Sequence, residues 1–295
     1  MSATTVAAPV GPAPVASTPR RRRRPRHWVF HVVMTPIAIL WILPLAFVVL
    51  VAFRTFADLT SNGLGSLPQS FTLEGFVTVF RDGLGGGQAL INSIIVTGFT
   101  VVFSLLLASW AAFALSRHSI PGRRAVLLIM LAGNLLPPQI LLIPVARICE
   151  SLGIADTLLA LIIVQVAFGL GFYTFVLHGF MRSIPGEIFE AARVDGAGPL
   201  RTYLQIAMPL CRPSLAALAA LATTWVWNDL LWALTVLRSE SKFPITAELL
   251  NIQGGFVSQW NVVAAGAVIA AIPTAVVFFM FQKQFVSGLA IGSGK

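Results

Sequence analysis

The chain has 295 residues, of which 57% are hydrophobic and 11% charged, and its mean hydropathy is +0.85. Soluble globular domains carry about 25% charged residues and interrupt their apolar runs well before 20 residues, so this composition excludes a soluble domain and specifies an integral membrane protein. The net charge of +9 does not point to a nucleic-acid partner: six of the twenty basic residues lie in one run, Arg20 to Arg26, just ahead of the first apolar segment, where they act on topology.

Residues 2–19 are rich in Ala, Pro, Ser and Thr without periodicity and are expected to be disordered, which makes 1–27 a basic tail. The apolar stretch from Trp28 to Phe53 is far longer than a signal-peptide core of about 7 to 15 residues and has no A-x-A end, so it reads as a retained anchor. Five further stretches approach the roughly 20 residues a membrane crossing needs: 88–115, 125–146, 157–181, 213–237 and 261–282. Helices satisfy their own backbone in lipid, and the two-residue alternation of a barrel strand is absent. The expected fold is all-α, a bundle of six transmembrane helices over 28–295 with one polar insert at about 182–212. With the N-terminus cytoplasmic, 15 basic residues fall on the cytoplasmic side and five on the other, which places both termini and the insert inside.

Several spans carry proline (Pro36, Pro44, Pro137, Pro138, Pro144, Pro273), and two carry amides deep in apolar sequence, Asn134 and Gln165. These residues fit helix kinks and interhelical hydrogen bonds, and equally a lined, movable pathway. No enzyme site is organised anywhere. His27, His31, His118 and His178 are scattered, no H-E-x-x-H or paired-cysteine spacing occurs, and Cys149 and Cys211 fall near opposite faces. No catalytic residue, bound cofactor or metal site is expected. The closing "GLAIGSGK" imitates a phosphate-binding loop, but Leu289 stands where the first glycine is required, so any nucleotide must be bound by another subunit.

The insert "PGEIFEAARVDGAGP", residues 185–199, holds three of the chain's eleven acids, Glu187, Glu190 and Asp195. Ser183 is a possible helix cap, Pro185 suits a first turn, Gly196 can take the left-handed conformation that ends a helix, and a second helix can begin at Gly198-Pro199. Glu187, Glu190 and Val194 share one face, Ile184, Ile188 and Ala192 another, with Ala191 as a small shoulder. A helix lying on a bilayer carries Lys and Arg on its polar face. This one is acidic apart from Arg193, which favours docking onto another protein.

The stretch "EAARVDGAGPLRTYLQIAMPLCRP" resembles the EAA loop of ABC importer permeases, E-A-A-x-x-x-G, then nine intervening residues, then I-x-L-P. Here it reads Glu190-Ala191-Ala192, Gly196 and Ile206-Ala207-Met208-Pro209, with methionine in place of leucine. From about residue 88 onward the chain is most similar to the six-span subunit of maltose-type carbohydrate permeases, through "INSIIVTGFTVVFSLLLASWAAFALSR", "GFMRSIPGEIFEAARVDGA", "WNDLLW" and "FQKQFVSGLAIGSGK". The resemblance implies a permease subunit in a bacterial cytoplasmic membrane that moves a sugar or oligosaccharide by alternating access. It implies a second homologous permease, an extracytoplasmic solute-binding protein, and two ATPase subunits that bind ATP and Mg. It also implies that Glu187, Glu190, Ala191, Ala192, Asp195 and Gly196 form a coupling helix seated in the ATPase. A cargo such as glycerol phosphate or a polyol fits the same machinery; a secondary transporter would show inverted repeats and midplane carboxylates, and no repeat is visible.

Within the spans the sole carboxylate is Asp229, expected in the outer half of the membrane. Trp225, Asn228, Asp229 and Trp232 recur at helical spacing. Indoles beside an amide and a carboxylate suit a sugar, whose C–H faces stack while its hydroxyls exchange hydrogen bonds. The same residues could instead brace the span against the partner permease. Together with Asn134 and Gln165 they are the candidates for a translocation pathway.

Overall fold

The computed structural model describes residues 27–81, 85–253 and 259–292, so the tail expected over 1–27 lies outside the described residues except for its last position. Helix α1 (His27–Ala52) runs through Pro36 and Pro44. Up to Ala46 it belongs to a unit of its own, and every described side chain from Trp28 to Ala46 is exposed. Everything described from Phe47 onward forms one compact unit.

That unit opens on two short helices, α2 (Phe56–Asn62) and α3 (Glu74–Val79), and then the long α4 (Gly86–Arg117). Next come α5 (Arg123–Leu135), α6 (Pro138–Ser151), α7 (Leu158–Ser183), α8 (Gly186–Val194) and α9 (Pro199–Thr202). A π-helical turn, Tyr203–Ala207, joins α9 to α10 (Met208–Trp227). The chain finishes with α11 (Leu231–Val236), a 3-10 turn at Glu240–Lys242, α12 (Ile245–Gln253) and α13 (Trp260–Gly292). Among the described residues there is no strand. Five helical runs among the described residues are long and apolar enough to cross a membrane: Phe30–Ala52, Gly86–Arg117, Leu158–Ser183, Pro199–Trp227 and Trp260–Gln282. The α5–α6 pair makes a sixth if it counts as one broken span.

Two spans differ from the sequence expectation. The third, expected as one helix over 125–146, bends by 99° between α5 and α6. Pro137 and Pro138 supply no N–H, so the carbonyls of Gly133 and Asn134 lose the donors that would have carried the helix onward. The fifth, expected over 213–237, occupies Pro199–Trp227 instead. Its start lies further back because the π turn absorbs Pro209, whose ring would otherwise strike the Gln205 carbonyl; Met208 N–H bonds to the Tyr203 carbonyl, one residue beyond α-helical register. Its end comes earlier because the Asn228 amide donates back to the Thr224 carbonyl and the Asp229 carboxylate accepts from the backbone N–H groups of Trp232 and Ala233 just beyond it.

Helices α4 and α7 pack along most of their length. Buried Ser104, Ala108, Ser109 and Ala112 keep one face of α4 small, which lets the backbones approach where apolar area alone gives no drive to associate. Both ends of α4 are tied by polar bonds. At one end the Asn92 amide donates to the Ser241 and Phe243 carbonyls (3.0 and 3.1 Å), and Ser93 Oγ accepts from Ile245 N (2.8 Å). At the other, Arg117 reaches α7 and α8.

The α6–α7 loop is pinned by Asp156, whose φ of +55° is a left-handed conformation that aspartate tolerates better than most residues. Its carboxylate accepts from Arg238 N, Ser239 N, Ser239 Oγ and Lys242 Nζ, and these bonds, led by the Ser239 hydroxyl, hold it well below the usual carboxylate range. A second hub closes the segment after α1. Arg54, only 1% exposed, donates Nε to Asp58 (2.7 Å), Nη1 to the Ser66 carbonyl (2.9 Å) and Nη2 to Ser66 Oγ (2.7 Å). A buried guanidinium is tolerable only when its donors are met, and here one side chain folds residues 55–66 around itself.

Hydrogen bonds from Arg54 first, then Asn62, lower the Asp58 carboxyl from 3.8 to about 2. A depressed folded value means that this contribution to stability is whole above about pH 4 and is lost as pH falls through about 2. A spin label on exposed Ser61 should stay immobile at pH 5 and gain mobility towards pH 2, and Arg54→Met should produce the mobile spectrum already at pH 7.

Candidate functional site

Two features concentrate the chemistry: helix α8 at one end of α7, and a cavity where α5, α7 and α10 meet. Helix α8 ends in a Schellman turn. Gly196 takes φ +74°, its N–H bonds to the Arg193 carbonyl (3.1 Å), and the Ala197 N–H reaches the Ala192 carbonyl (2.9 Å). The helix starts after Pro185, with no side-chain cap; Ser183 instead closes α7, its hydroxyl donating to the Phe180 carbonyl (2.7 Å).

Phe189 and Ala192 turn inward and are buried, so Ala192 supports the helix rather than contributing to its outer face, contrary to the expected apolar stripe. The outer face carries Glu187, Ile188, Glu190, Ala191, Val194 and Asp195, all exposed. None of its three carboxylates has an ion-pair or hydrogen-bond partner among the described residues. Arg117, the last residue of α4, fixes the helix from within. Its Nη2 donates to the Met181 carbonyl and, at 3.0 Å, to the Ile184 carbonyl, and its guanidinium carbon lies 3.7 Å from the centre of the Phe189 ring. Phe189 continues into a buried cluster with Phe113, Tyr203, Met181 and Leu177 that reaches Tyr173.

The cavity has a volume of about 200 Å³. Five of the six pathway candidates line it: Asn134, Gln165, Trp225, Asp229 and Trp232. Trp225, Asp229 and Trp232 do not reach it from one face of a continuous helix, as their spacing had indicated. Helix α10 stops at Trp227, and Asp229 then accepts from Trp232 N (3.5 Å) and Ala233 N (3.3 Å), so α11 turns back towards α7. Gln165 Nε2 donates to Asp229 Oδ2 (3.0 Å) and Thr246 Oγ1 to the Asp229 carbonyl (2.9 Å), so Asp229 braces its own chain. Asn228 lies outside the lining; its amide donates to the Thr224 carbonyl (2.8 Å) and to Thr274 Oγ1 of α13 (3.3 Å).

Phe168 packs on Trp232 with ring centres 4.5 Å apart, and Phe172 on Trp225 at 5.4 Å, which fixes both indoles. Tyr173 also borders the cavity. It was not singled out from sequence, although one of only two tyrosines stands eight residues after Gln165, on the same helix face. Phe189 and Arg117 were missed as well, because their roles appear only when α4 and α8 come together. Among the described residues no cluster of metal-ligating side chains occurs.

A multi-span helical protein with an acidic helix held out at one end and a polar cavity between broken spans has the build of a membrane transport subunit. Residues 104–290 match the family described as binding-protein-dependent transport system inner membrane component, and the chain belongs to that family. It is 32% identical to the osmoprotective compounds uptake permease protein GgtD of Synechocystis sp., over 90% of this chain and 91% of that protein. It is also 32% identical to the trehalose transport system permease protein SugB of Mycobacterium tuberculosis, over 78% of this chain and 84% of that one. Its fold matches a chain in the crystal structure of a bacterial ABC transporter involved in the import of the acidic polysaccharide alginate. That match has a TM-score of 0.75 at 26% identity and covers 90% of this chain and 99% of the other.

Close approach of α5 to α7 depends on Gly171. A Cβ there would lie 2.2 Å from the Met130 carbonyl oxygen and 2.6 Å from Asn134 Nδ2, and the first of these is backbone that cannot rotate away. Gly171→Ala should therefore push α5 off α7 and cost about 1–3 kcal/mol, seen as a lower unfolding temperature in detergent. Gly179→Ala on the same helix meets nothing within 4 Å and should be neutral or stabilise by up to about 1 kcal/mol.

Proposed function

We propose that the chain is the permease subunit of an ATP-driven importer for a sugar or oligosaccharide in a bacterial cytoplasmic membrane. It pairs with a second homologous permease, receives cargo from an extracytoplasmic solute-binding protein, and is driven by two ATPase subunits that hold the ATP and Mg. Both termini and α8 face the cytoplasm, in keeping with the 15-to-5 division of basic residues. The cavity bordered by Gln165 and Asp229 forms part of the route. In support, SugB is named for trehalose and the matched crystal structure for alginate import. The name of GgtD, osmoprotective compounds, favours a small polar solute as the second reading of the cargo.

The observation that carries the mechanism is α8. Its three carboxylates are exposed and without partners among the described residues, while Phe189 and Arg117 lock its other face to α4 and α7. A free acidic face on a rigid mount is what a soluble partner can push against. ATP-driven closure of the ATPase pair moves α8, and α8 carries the ends of α4 and α7 with it.

A cysteine at Ser61 should react with an impermeant thiol reagent added from outside, and one at Gly198 should not; the reverse pattern rejects this orientation. Gly196→Val places a β-branched residue at φ +74°, where left-handed backbone costs roughly 1–2 kcal/mol. Transport per ATP hydrolysed should drop, and Glu190→Lys should act likewise by reversing charge on the docking face. Normal coupling in Gly196→Val, with normal amounts of assembled complex, overturns the role given to α8.

A further inference from the structure

We propose that the cavity is a subsite for uncharged polyhydroxy ligands and excludes carboxylated sugars, an inference that rests on reading the cavity as part of the transport route.

Its walls are rich in hydrogen-bond acceptors. Gln165 is only 7% exposed, and with Nε2 committed to Asp229 its buried Oε1 has no partner among the described residues. Asp229 fixes that orientation, since a flipped amide would set oxygen against carboxylate. The carbonyls of Gly133 and Asn134, both lining residues, have lost their helical donors to Pro137 and Pro138. Non-helical backbone at membrane depth is tolerated where it borders a hydrated or ligand-filled space, which is the situation of these two residues. The side-chain donors that the lining residues carry, on Asn134, Gln165, Tyr173, Trp225 and Trp232, are all neutral.

Charge sets the selectivity. Asp229 is the one formally charged residue in the lining, which contains no lysine, arginine or histidine. Burial opposes its charge, and the N–H groups of Gln165, Trp232 and Ala233 favour it. A sugar hydroxyl can donate to the carbonyls that Pro137 and Pro138 leave without donors while its ring stacks on the exposed Trp225 indole. A uronate in the same place would give up its hydration with no lysine, arginine or histidine in the lining to pair with, and would meet a second carboxyl group in Asp229. The named cargo of the matched crystal structure, an acidic polysaccharide, is the class that this wall rejects.

The test is made on the assembled complex in nanodiscs carrying Leu136→Cys, at the lip of the cavity, against the parent chain, whose Cys149 and Cys211 are buried. A cationic methanethiosulfonate should react faster than an anionic one by about tenfold or more, after correction for their rates with a free thiol. Asp229→Asn should bring that ratio to about one, and Asp229→Glu, which guards against a misfolded variant, should keep it. Trehalose at high concentration should slow labelling, and galacturonate at equal concentration should not. An anionic preference, a ratio that Asp229→Asn leaves unchanged, protection by galacturonate equal to that by trehalose, or no protection by trehalose overturns the proposal. The ratio is read without ATP or transport, so it stands or falls separately from coupling through α8.

Discussion

The hydrogen bond from Gln165 to Asp229, 3.0 Å long, joins the middle of α7 to the point where α10 gives way to α11. A carboxylate in an apolar layer survives only with partners, and Asp229 gathers three N–H donors from two elements. Through them it sets where α10 ends and which way α11 turns, and therefore which side chains Trp225 and Trp232 bring together. Its own carbonyl accepts from Thr246, so α12 is tied to the same point.

A second constraint acts on the opposite wall. Pro137 and Pro138 break one span, and Gly171 lets the broken piece lie against α7 closely enough that no side chain fits between them. Broken backbone needs somewhere polar to face, and the polar place it faces is the one Gln165 and Asp229 create. The two walls thus solve each other's desolvation problem, and the cavity is what remains between them.

The helical class, the long spans and the acidic insert were legible in the sequence because hydropathy and charge run along the chain and need no tertiary knowledge. Gly196 was legible for a similar reason, since a glycine after an amphipathic run marks the end of a helix. The limits of the third and fifth spans were not. Hydropathy counts apolar side chains and ignores missing N–H groups, so the spans were drawn straight through Pro137-Pro138, which read as a kink within one helix, and through Asn228-Asp229. Asn134 and Gln165 stood out as amides in apolar sequence, and Trp225, Asn228, Asp229 and Trp232 by spacing on an unbroken helix; five of the six border one cavity because the spans break, and Asn228 turns away. Arg117 left no trace in the sequence, because its partners Met181, Ile184 and Phe189 lie more than sixty positions along the chain.

Helix α4 is about 48 Å long at 1.5 Å per residue. Arg117 grips the elbow between α7 and α8 at one end, and Asn92 and Ser93 grip the segment leading into α12 at the other. A rod fastened at both ends cannot slide along its axis without parting one set of fastenings, but it can tilt or roll and carry both attachments with it. The geometry therefore behaves as a torsion bar, in which a twist applied at one membrane surface arrives at the other undiminished by slack in the loops between.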